Sequence, residues 1–177
     1  MPVIDPTRSA LLVIDYQARL MPAIDQSDLR LANAARLIRA AEILGLPRLV
    51  TEQTPQKLGG TVEALVIPPG EALAKASFDA LRDPVIASRL AGDMALVVCG
   101  CEAHVCVLQS VLALRALGRQ VHVVADATGS RTEANRQAAL ARMRDHGAEI
   151  VTTEMVLFEW LGSADHPAFK SIMPLIK

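Results

Sequence analysis

Short, continuously apolar runs alternate with longer segments of helical periodicity along this chain. The two clearest runs are Ala10–Ile14 and Ala95–Cys99. Apolar runs of this length are typical of strands that are buried on both faces of a parallel sheet. Four further strands are predicted, at Pro47–Val50, near Leu73 and Ala74, at Gln120–Ala125 and at Glu149–Thr152.

Helices are predicted between these strands. Ser27 and Asp28 offer the N-cap of a helix that runs to about Leu44, and Gly45 follows as its C-terminal cap. Ser130–Glu133 has the form of a capping box that starts another helix. The other predicted helices are Pro84–Leu90, about His104–Leu117 and two short helices after the sixth strand.

This alternation predicts an α/β fold with three layers. The sheet is expected to be parallel and six-stranded, in the Rossmann-like order 3-2-1-4-5-6, with helices on both faces. The winding reverses between strands one and four, and ligands of such sheets bind beyond the carboxyl ends of the strands at that point. One domain is expected over residues 1–177.

The composition limits the classes of function. Apolar residues make up 51% of the chain, charged residues 21%, and the net charge is −1. These values are typical of a folded domain and give no basic surface for nucleic acid or an anionic membrane. The N-terminus lacks the pattern of a signal peptide, and no apolar run approaches the roughly 20 residues of a membrane span. A cytoplasmic protein with no membrane partner is therefore expected.

The three cysteines lie close together at positions 99, 101 and 106. An odd, clustered set argues against an extracellular disulfide framework, and the spacing fits no common zinc pattern. Cys99 lies inside a predicted strand and is expected to be structural. Cys106 instead falls in the first turn of the helix after strand four, where free N–H groups and the helix dipole favour a thiolate.

Two isolated charges complete a possible catalytic set with Cys106. Asp15 ends strand one, and Lys75 ends strand three. A free thiol has a pKa of about 8.5 and needs a nearby base or cation to ionise at neutral pH. Asp15 could accept the thiol proton, Lys75 could stabilise the anion, and N–H groups of the turn from Glu102 to Cys106 could bind an oxyanion.

Each candidate also has a structural interpretation. Cys106 could be a small core residue, and Lys75 a surface lysine whose stem covers apolar neighbours. Asp126, at the end of strand five, is expected to tie down the turn that follows it. His104 is a rival base that is expected to point away from Cys106 and to line the pocket, and His122 is expected to be a satisfied core histidine.

Three stretches resemble the isochorismatase-like cysteine hydrolase superfamily: Leu11–Gln17, Lys75 with Phe78 after it, and Gly100–Val107. The resemblance implies a catalytic triad of Asp15, Lys75 and Cys106 on a six-stranded parallel α/β sheet. It also implies a cis peptide bond at Cys101–Glu102, with the N–H groups of Glu102 and Cys106 directed at the oxyanion.

Two departures from the family pattern narrow the function. Nicotinamidases of this superfamily hold a metal with an Asp-x-His pattern after strand two, where this chain has Thr51-Glu-Gln53. No metal and no cofactor are therefore expected. Ala103 and His104 stand where many relatives have Thr and Asp, which is similar to the branch of isochorismatase domain-containing hydrolases.

The resulting hypothesis is an amidase-type cysteine hydrolase acting on a small carboxamide or related carbonyl compound through a thioester. Gln53, Phe78 and His104 are expected to line its substrate pocket. One alternative is a binding or scaffold protein in which the apolar helix Val105–Leu117 forms a subunit interface, and that helix also suggests a homo-oligomer. Another alternative is vinyl-ether hydrolysis, which would not need Cys106.

Overall fold

A computed structural model describes residues 3–176 of the chain. Its centre is a six-stranded sheet in the order β3-β2-β1-β4-β5-β6, and every neighbouring pair is parallel. The predicted order is confirmed. The strands are β1 (Ser9–Ile14), β2 (Arg48–Gln53), β3 (Leu73–Lys75), β4 (Ala95–Gly100), β5 (Val121–Val124) and β6 (Glu149–Val151).

Helices connect the strands and cover both faces of the sheet. They are α1 (Ser27–Leu44), α2 (Pro55–Leu58), α3 (Pro84–Arg89), α4 (Leu108–Ala116), α5 (Glu133–Asp145), α6 (Thr153–Leu161) and α7 (Phe169–Ile176). Over residues 3–176 the structure also has four single 3₁₀ turns and one π-helical turn, Ala103–Val107. No helix within the described range is long and apolar enough to cross a membrane.

Strand β1 shows why the core has two halves. Its side chains alternate, so that Leu11 and Val13 pack with α1, α6 and α7, whereas Leu12 and Ile14 pack with α3, α4 and α5. All four side chains are fully buried. A strand that is buried on both faces reads as a continuous apolar run, which is the pattern that predicted it.

Strand β2 is longer than predicted, because it continues past Val50 to Gln53. Thr51, Glu52 and Gln53 pair in register with Leu73, Ala74 and Lys75 of β3. Their polar side chains gave no strand signal, because their role is set by contacts with distant residues. The extension matters for the site, since it places Gln53 beside Lys75.

The predicted helix starts need correction. Gln26 precedes α1 with a left-handed backbone and makes no capping hydrogen bond, so Ser27 and Asp28 lie inside the helix. The capping box at Ser130–Glu133 does not form either. Thr132 caps α5 by accepting a hydrogen bond from the Asn135 N–H at 3.3 Å, while Ser130 is buried.

Two residues assigned to structural roles have different contacts from those expected. Asp126 Oδ1 accepts hydrogen bonds from the N–H and Oγ1 of Thr153, at 2.8 and 2.9 Å, and so holds the start of α6 rather than the turn beside it. His122 is fully buried, but within the described residues neither ring nitrogen has a hydrogen-bond partner. Its Nδ1 lies 3.2 Å from Glu149 Oε2 without the alignment of a hydrogen bond, and burial lowers the pKa of the imidazole.

The apolar stretch Val105–Leu117 is explained by the core of this chain. It forms the end of the π-helical turn and most of α4, and Leu108, Val111 and Leu114 are buried against β4, β5 and α5. Leu117 is exposed. The apolar character of this helix therefore supplies no argument for a subunit interface, and a homo-oligomer stays a prediction.

Candidate active site

Asp15 is placed at the carboxyl end of β1, directly after its last core residue. Its backbone is left-handed, with φ of 56°, and its N–H donates to the Thr51 carbonyl oxygen at 3.1 Å. A left-handed backbone is uncommon for a residue with a side chain and is held here by the neighbouring strand. The turn directs the carboxylate into the sheet edge, where it is fully buried.

Lys75 ends β3, two strands away from Asp15. Its Nζ lies 2.7 Å from Asp15 Oδ2 and 2.8 Å from Gln53 Oε1. Neither the lysine nor the aspartate side chain is exposed to solvent. A buried ammonium and carboxylate need each other, because either charge alone loses its hydration without compensation. Lys75 is therefore part of an internal ion pair and is not a surface lysine.

Cys106 lies in the π-helical turn that follows β4, and β4 is the neighbour of β1 in the sheet. The carboxyl ends of β3, β1 and β4 therefore bring Lys75, Asp15 and Cys106 to one place. The Cys106 sulfur lies 3.9 Å from Gln53 Oε1, the same oxygen that accepts from Lys75. The residue is only 5% exposed, so little of it is open to solvent.

The charge state of Cys106 differs from the expectation for a cysteine at a helix start. Burial raises the pKa of the thiol to about 12, and the negative charge of Asp15 raises it further than Lys75 lowers it. At neutral pH the sulfur is therefore a protonated thiol in the unliganded protein.

The turn before Cys106 offers backbone donors. The peptide bond between Cys101 and Glu102 is cis, as the resemblance implied. Within the described residues the Glu102 N–H donates to no acceptor, and the Cys106 N–H donates to none outside its own turn. The Glu102 carboxylate is held by Arg131 through two bonds of 2.7 and 2.8 Å, which lowers its pKa.

The three predicted pocket residues lie in different surroundings. Gln53 is buried, and its amide bonds Lys75 on one side and the Ala76 carbonyl oxygen on the other. Phe78 is 49% exposed. His104 places Nδ1 2.9 Å from Ser130 Oγ and Nε2 3.5 Å from Asn135 Nδ2.

Two further residues hold the site together and were not identified from the sequence. Thr51 donates from Oγ1 to Asp15 Oδ1 at 2.7 Å. Gln17 clamps the backbone of Gln53, accepting its N–H at 2.7 Å and donating to its carbonyl oxygen at 3.1 Å. The signal for both was available, since each is a polar residue that comes beside or within a buried strand.

The remaining cysteines and possible metal ligands are separate from this chemistry. Cys99 and Cys101 are fully buried in the opposite half of the core, and burial raises the pKa of both thiols, that of Cys99 to about 12. Over residues 3–176, no group of three or more His, Cys, Asp or Glu side chains is arranged to hold a metal ion.

Comparison with known proteins identifies the same fold and related sequences. The family model described as the isochorismatase domain matches residues 9–155. Isochorismatase domain-containing protein 2 of Danio rerio is 39% identical over 170 residues, which cover 95% of this chain and 86% of that protein.

Two solved structures are closely similar. The MAR1 ribonuclease from Caenorhabditis elegans aligns with a TM-score of 0.92 and 37% identity, over 98% of this chain and 92% of that one. YcaC from Pseudomonas aeruginosa, solved with hexane-2,5-diol and covalent acrylamide, aligns with a TM-score of 0.90 and 26% identity, over 98% and 91% of the two chains.

Proposed function

The chain belongs to the isochorismatase-like hydrolase family, and we propose that it is a cysteine hydrolase within that family. Its substrate is a small amide or related carbonyl compound, which it cleaves through a thioester. One observation carries the proposal: the sulfur of Cys106 lies beside a fully buried Asp15–Lys75 ion pair, 3.9 Å from the oxygen that also binds Lys75.

The first step transfers the thiol proton to Asp15 while the sulfur attacks the substrate carbonyl carbon. A base is required, since a thiol with a pKa of about 12 supplies almost no thiolate at neutral pH. Lys75 stabilises the negative charge as it develops on the sulfur. The proton therefore leaves during the attack, and no free thiolate accumulates beforehand.

The carbonyl oxygen becomes an oxyanion as the carbon–sulfur bond forms. The N–H groups of Glu102 and Cys106 are the donors for it. Within the described residues no acceptor competes for the Glu102 N–H, which supports this role. When the tetrahedral intermediate collapses, Asp15 returns the proton to the departing amine, and the acyl group remains on Cys106. Water, deprotonated by Asp15, then cleaves the thioester and releases the acid and the free thiol.

A solved relative supports a nucleophile in this fold. The Pseudomonas aeruginosa YcaC structure contains covalent acrylamide, a small unsaturated carboxamide. Nucleophiles add to the double bond of acrylamide, so that protein contains a nucleophile that this compound reaches. In this chain Cys106 is the nucleophile closest to the buried ion pair.

Ribonuclease activity is the second candidate, because the Caenorhabditis elegans structure of 37% identity is named a ribonuclease. Two features of this chain weigh against it. Its net charge is −1, whereas affinity for a polynucleotide depends on clustered basic side chains. Lys75, the cation of the site, is also fully buried in its ion pair and is not available to a phosphodiester. A small uncharged substrate needs no such basic contact.

A screen for ammonia release over small aliphatic and aromatic amides tests the proposal, with a single-stranded RNA arm beside it. Wild-type protein is expected to release ammonia from at least one amide, and Cys106→Ala to reduce the rate by 10³-fold or more, on the order of the loss on removing a nucleophile. Cys99→Ala is the matched control, since that thiol is buried in the other half of the core, and it is expected to stay active.

Amide turnover that survives Cys106→Ala would contradict the proposed mechanism. Vinyl-ether hydrolysis would appear as activity that tolerates loss of Cys106 but is lost with Asp15→Asn. Cleavage of RNA without any amide turnover would favour the ribonuclease candidate. A binding protein would turn over none of these substrates.

A further inference from the structure

The Cys106 sulfur has an amide oxygen, that of Gln53, as a hydrogen-bond acceptor in addition to the nearby carboxylate of the proposed base. Asp15 Oδ1 accepts from Thr51 and Oδ2 accepts from Lys75, each at 2.7 Å. The sulfur lies 3.9 Å from Gln53 Oε1, within range for a hydrogen bond from a thiol. In the unliganded protein the thiol proton is therefore directed at Gln53.

The orientation of the Gln53 amide is fixed by its other contacts. Nε2 donates to the Ala76 carbonyl oxygen at 2.6 Å, and Oε1 accepts from Lys75 at 2.8 Å. A flipped amide would set its NH₂ group against the ammonium and its oxygen against a carbonyl oxygen, and both contacts would be repulsive. Gln17 also clamps the Gln53 backbone on both sides, through its N–H and its carbonyl oxygen.

An amide oxygen only accepts hydrogen bonds, so it favours a thiol and disfavours a thiolate at the same position. We propose that Gln53 is a positioning residue that holds Cys106 as a protonated thiol until a substrate displaces the contact between the sulfur and the amide oxygen. Three groups then face the sulfur: Asp15 and Gln53 oppose its negative charge, and Lys75 favours it.

This assignment rests on the proposed cysteine mechanism and adds a step to it. The amide oxygen also restrains the Lys75 ammonium, which is 2.8 Å away. When a substrate carbonyl enters and the sulfur turns toward it, the thiol exchanges an acceptor that cannot take its proton for one that can. Ionisation is then coupled to occupancy of the site, and the empty site stays unreactive.

Two substitutions at position 53 give opposite predictions. Gln53→Met keeps the length of the side chain but removes the acceptor, so the thiolate becomes more favourable. Gln53→Glu keeps an acceptor oxygen and adds a negative charge, so the thiolate becomes less favourable. If Gln53 served only to pack the site, both substitutions would loosen it, and both variants would react faster than wild type. Opposite changes in rate therefore distinguish a positioning role from a packing role.

The measurement is the rate at which 2,2′-dithiodipyridine modifies Cys106 at pH 8, with the site assigned by peptide mass mapping. Gln53→Met is expected to react faster than wild type, by about three-fold for each unit by which the thiol pKa falls, because the thiolate gains in population but loses in nucleophilicity. Gln53→Glu is expected to react more slowly than wild type. Circular dichroism melts identify any variant that does not fold, and Gln53→Asn, which draws the oxygen back, then replaces Gln53→Met with the same expected direction.

Equal rates in all proteins, or faster reaction in both the Met and the Glu variants, would overturn the assignment. In an active preparation Gln53→Met is also expected to leave KM within about two-fold while kcat changes, on the rule that uniform substrate binding appears in KM. A rise in KM with kcat unchanged would assign Gln53 to substrate binding instead. Because modification is measured without turnover, it decides the role of Gln53 even if Cys106→Ala shows that the proposed function is wrong.

Discussion

Lys75 Nζ lies 2.7 Å from Asp15 Oδ2, with both side chains fully buried, although 60 residues separate them in the chain. Each member of the pair also has a buried hydrogen bond. Thr51 donates to the Asp15 carboxylate, and the Lys75 ammonium donates to Gln53. The pair is thus a structural element of the sheet edge as well as the proposed proton-transfer centre. Its stability can be measured independently of any substrate.

Lys75→Met is expected to lower the free energy of unfolding by about 3–5 kcal/mol, because it leaves a buried carboxylate without its counter-ion. Asp15→Asn should have a similar effect, since it leaves the ammonium unpaired. The double variant is expected to regain much of the loss. Urea denaturation of the four proteins gives the coupling energy, and losses that simply add would show that the two charges do not interact. Arg8→Met is the control, because the Arg8–Asp93 pair is exposed and should contribute little.

Alkylation of Cys106 is expected to increase about tenfold for each pH unit between pH 7 and 9.5, without levelling off. The reason is that burial raises the pKa of this thiol to about 12, so the thiolate fraction keeps rising throughout that range. Cys106 should still react faster than Cys99 and Cys101, which are fully buried. Iodoacetamide labelling followed by mass mapping provides the measurement, with urea-unfolded protein as the reference for an ordinary thiol. A plateau near pH 8.5 in the folded protein would contradict the raised pKa.

The buried thiol of Cys99 is expected to make the fold sensitive to alkaline pH. Its pKa is about 12 in the folded protein and about 8.5 when unfolded, so the unfolded state releases the proton first. The stabilisation is complete below about pH 8.5 and is lost as the pH rises toward 12, with about 2 kcal/mol lost by pH 10. Urea midpoints at pH 7 and pH 10 should therefore fall less in Cys99→Ala than in wild type. Identical pH dependence in the two proteins would show that this thiol ionises freely in the fold.

Gly100 ends β4 and pairs with Ile14 of β1. A Cβ atom at this position would lie 2.5 Å from the Ile14 carbonyl oxygen and 2.6 Å from Ile14 Cβ, so either the strands or the turn to Cys106 must shift. Gly100→Ala is expected to lower stability by about 3 kcal/mol or more, as overpacking in a closed core does. Gly118→Ala is the matched control, with φ of 75° and open space around it, and should lose only about 1–2 kcal/mol. Thermal melts compare the two, and equal losses would remove the steric explanation.

The sheet and its order could be predicted because the strands are buried on both faces. Strand β1 was placed within one residue of its observed start, and β4 within one residue of its observed end. The positions of Asp15 and Lys75 then follow from where the strands end, since parallel strands bring their carboxyl ends to one edge. The cis peptide bond before Glu102 followed from the resemblance and not from the pattern of residues.

The features that the sequence did not predict depend on distant partners. Gln53 follows the predicted end of the second strand, but pairing with Lys75 keeps it in β2. Ser130 fits the local pattern of a capping box, but its hydroxyl forms a hydrogen bond with His104. Thr132 caps α5 instead. The thiol state of Cys106 could not be read from its place in the turn, because it depends on burial and on the charges of Asp15 and Lys75.

The mutual dependence of the buried acid and amine also affects what can be learned from related proteins. A descendant that abandoned turnover would still retain Asp15 and Lys75, because exchanging either one first would leave an orphaned charge inside the fold. The sulfur is under no such constraint, since replacing Cys106 by a small apolar side chain would lower the stability of the fold only slightly. Across a lineage, loss of the sulfur beside a surviving acid and amine would therefore mark the point at which catalysis was given up.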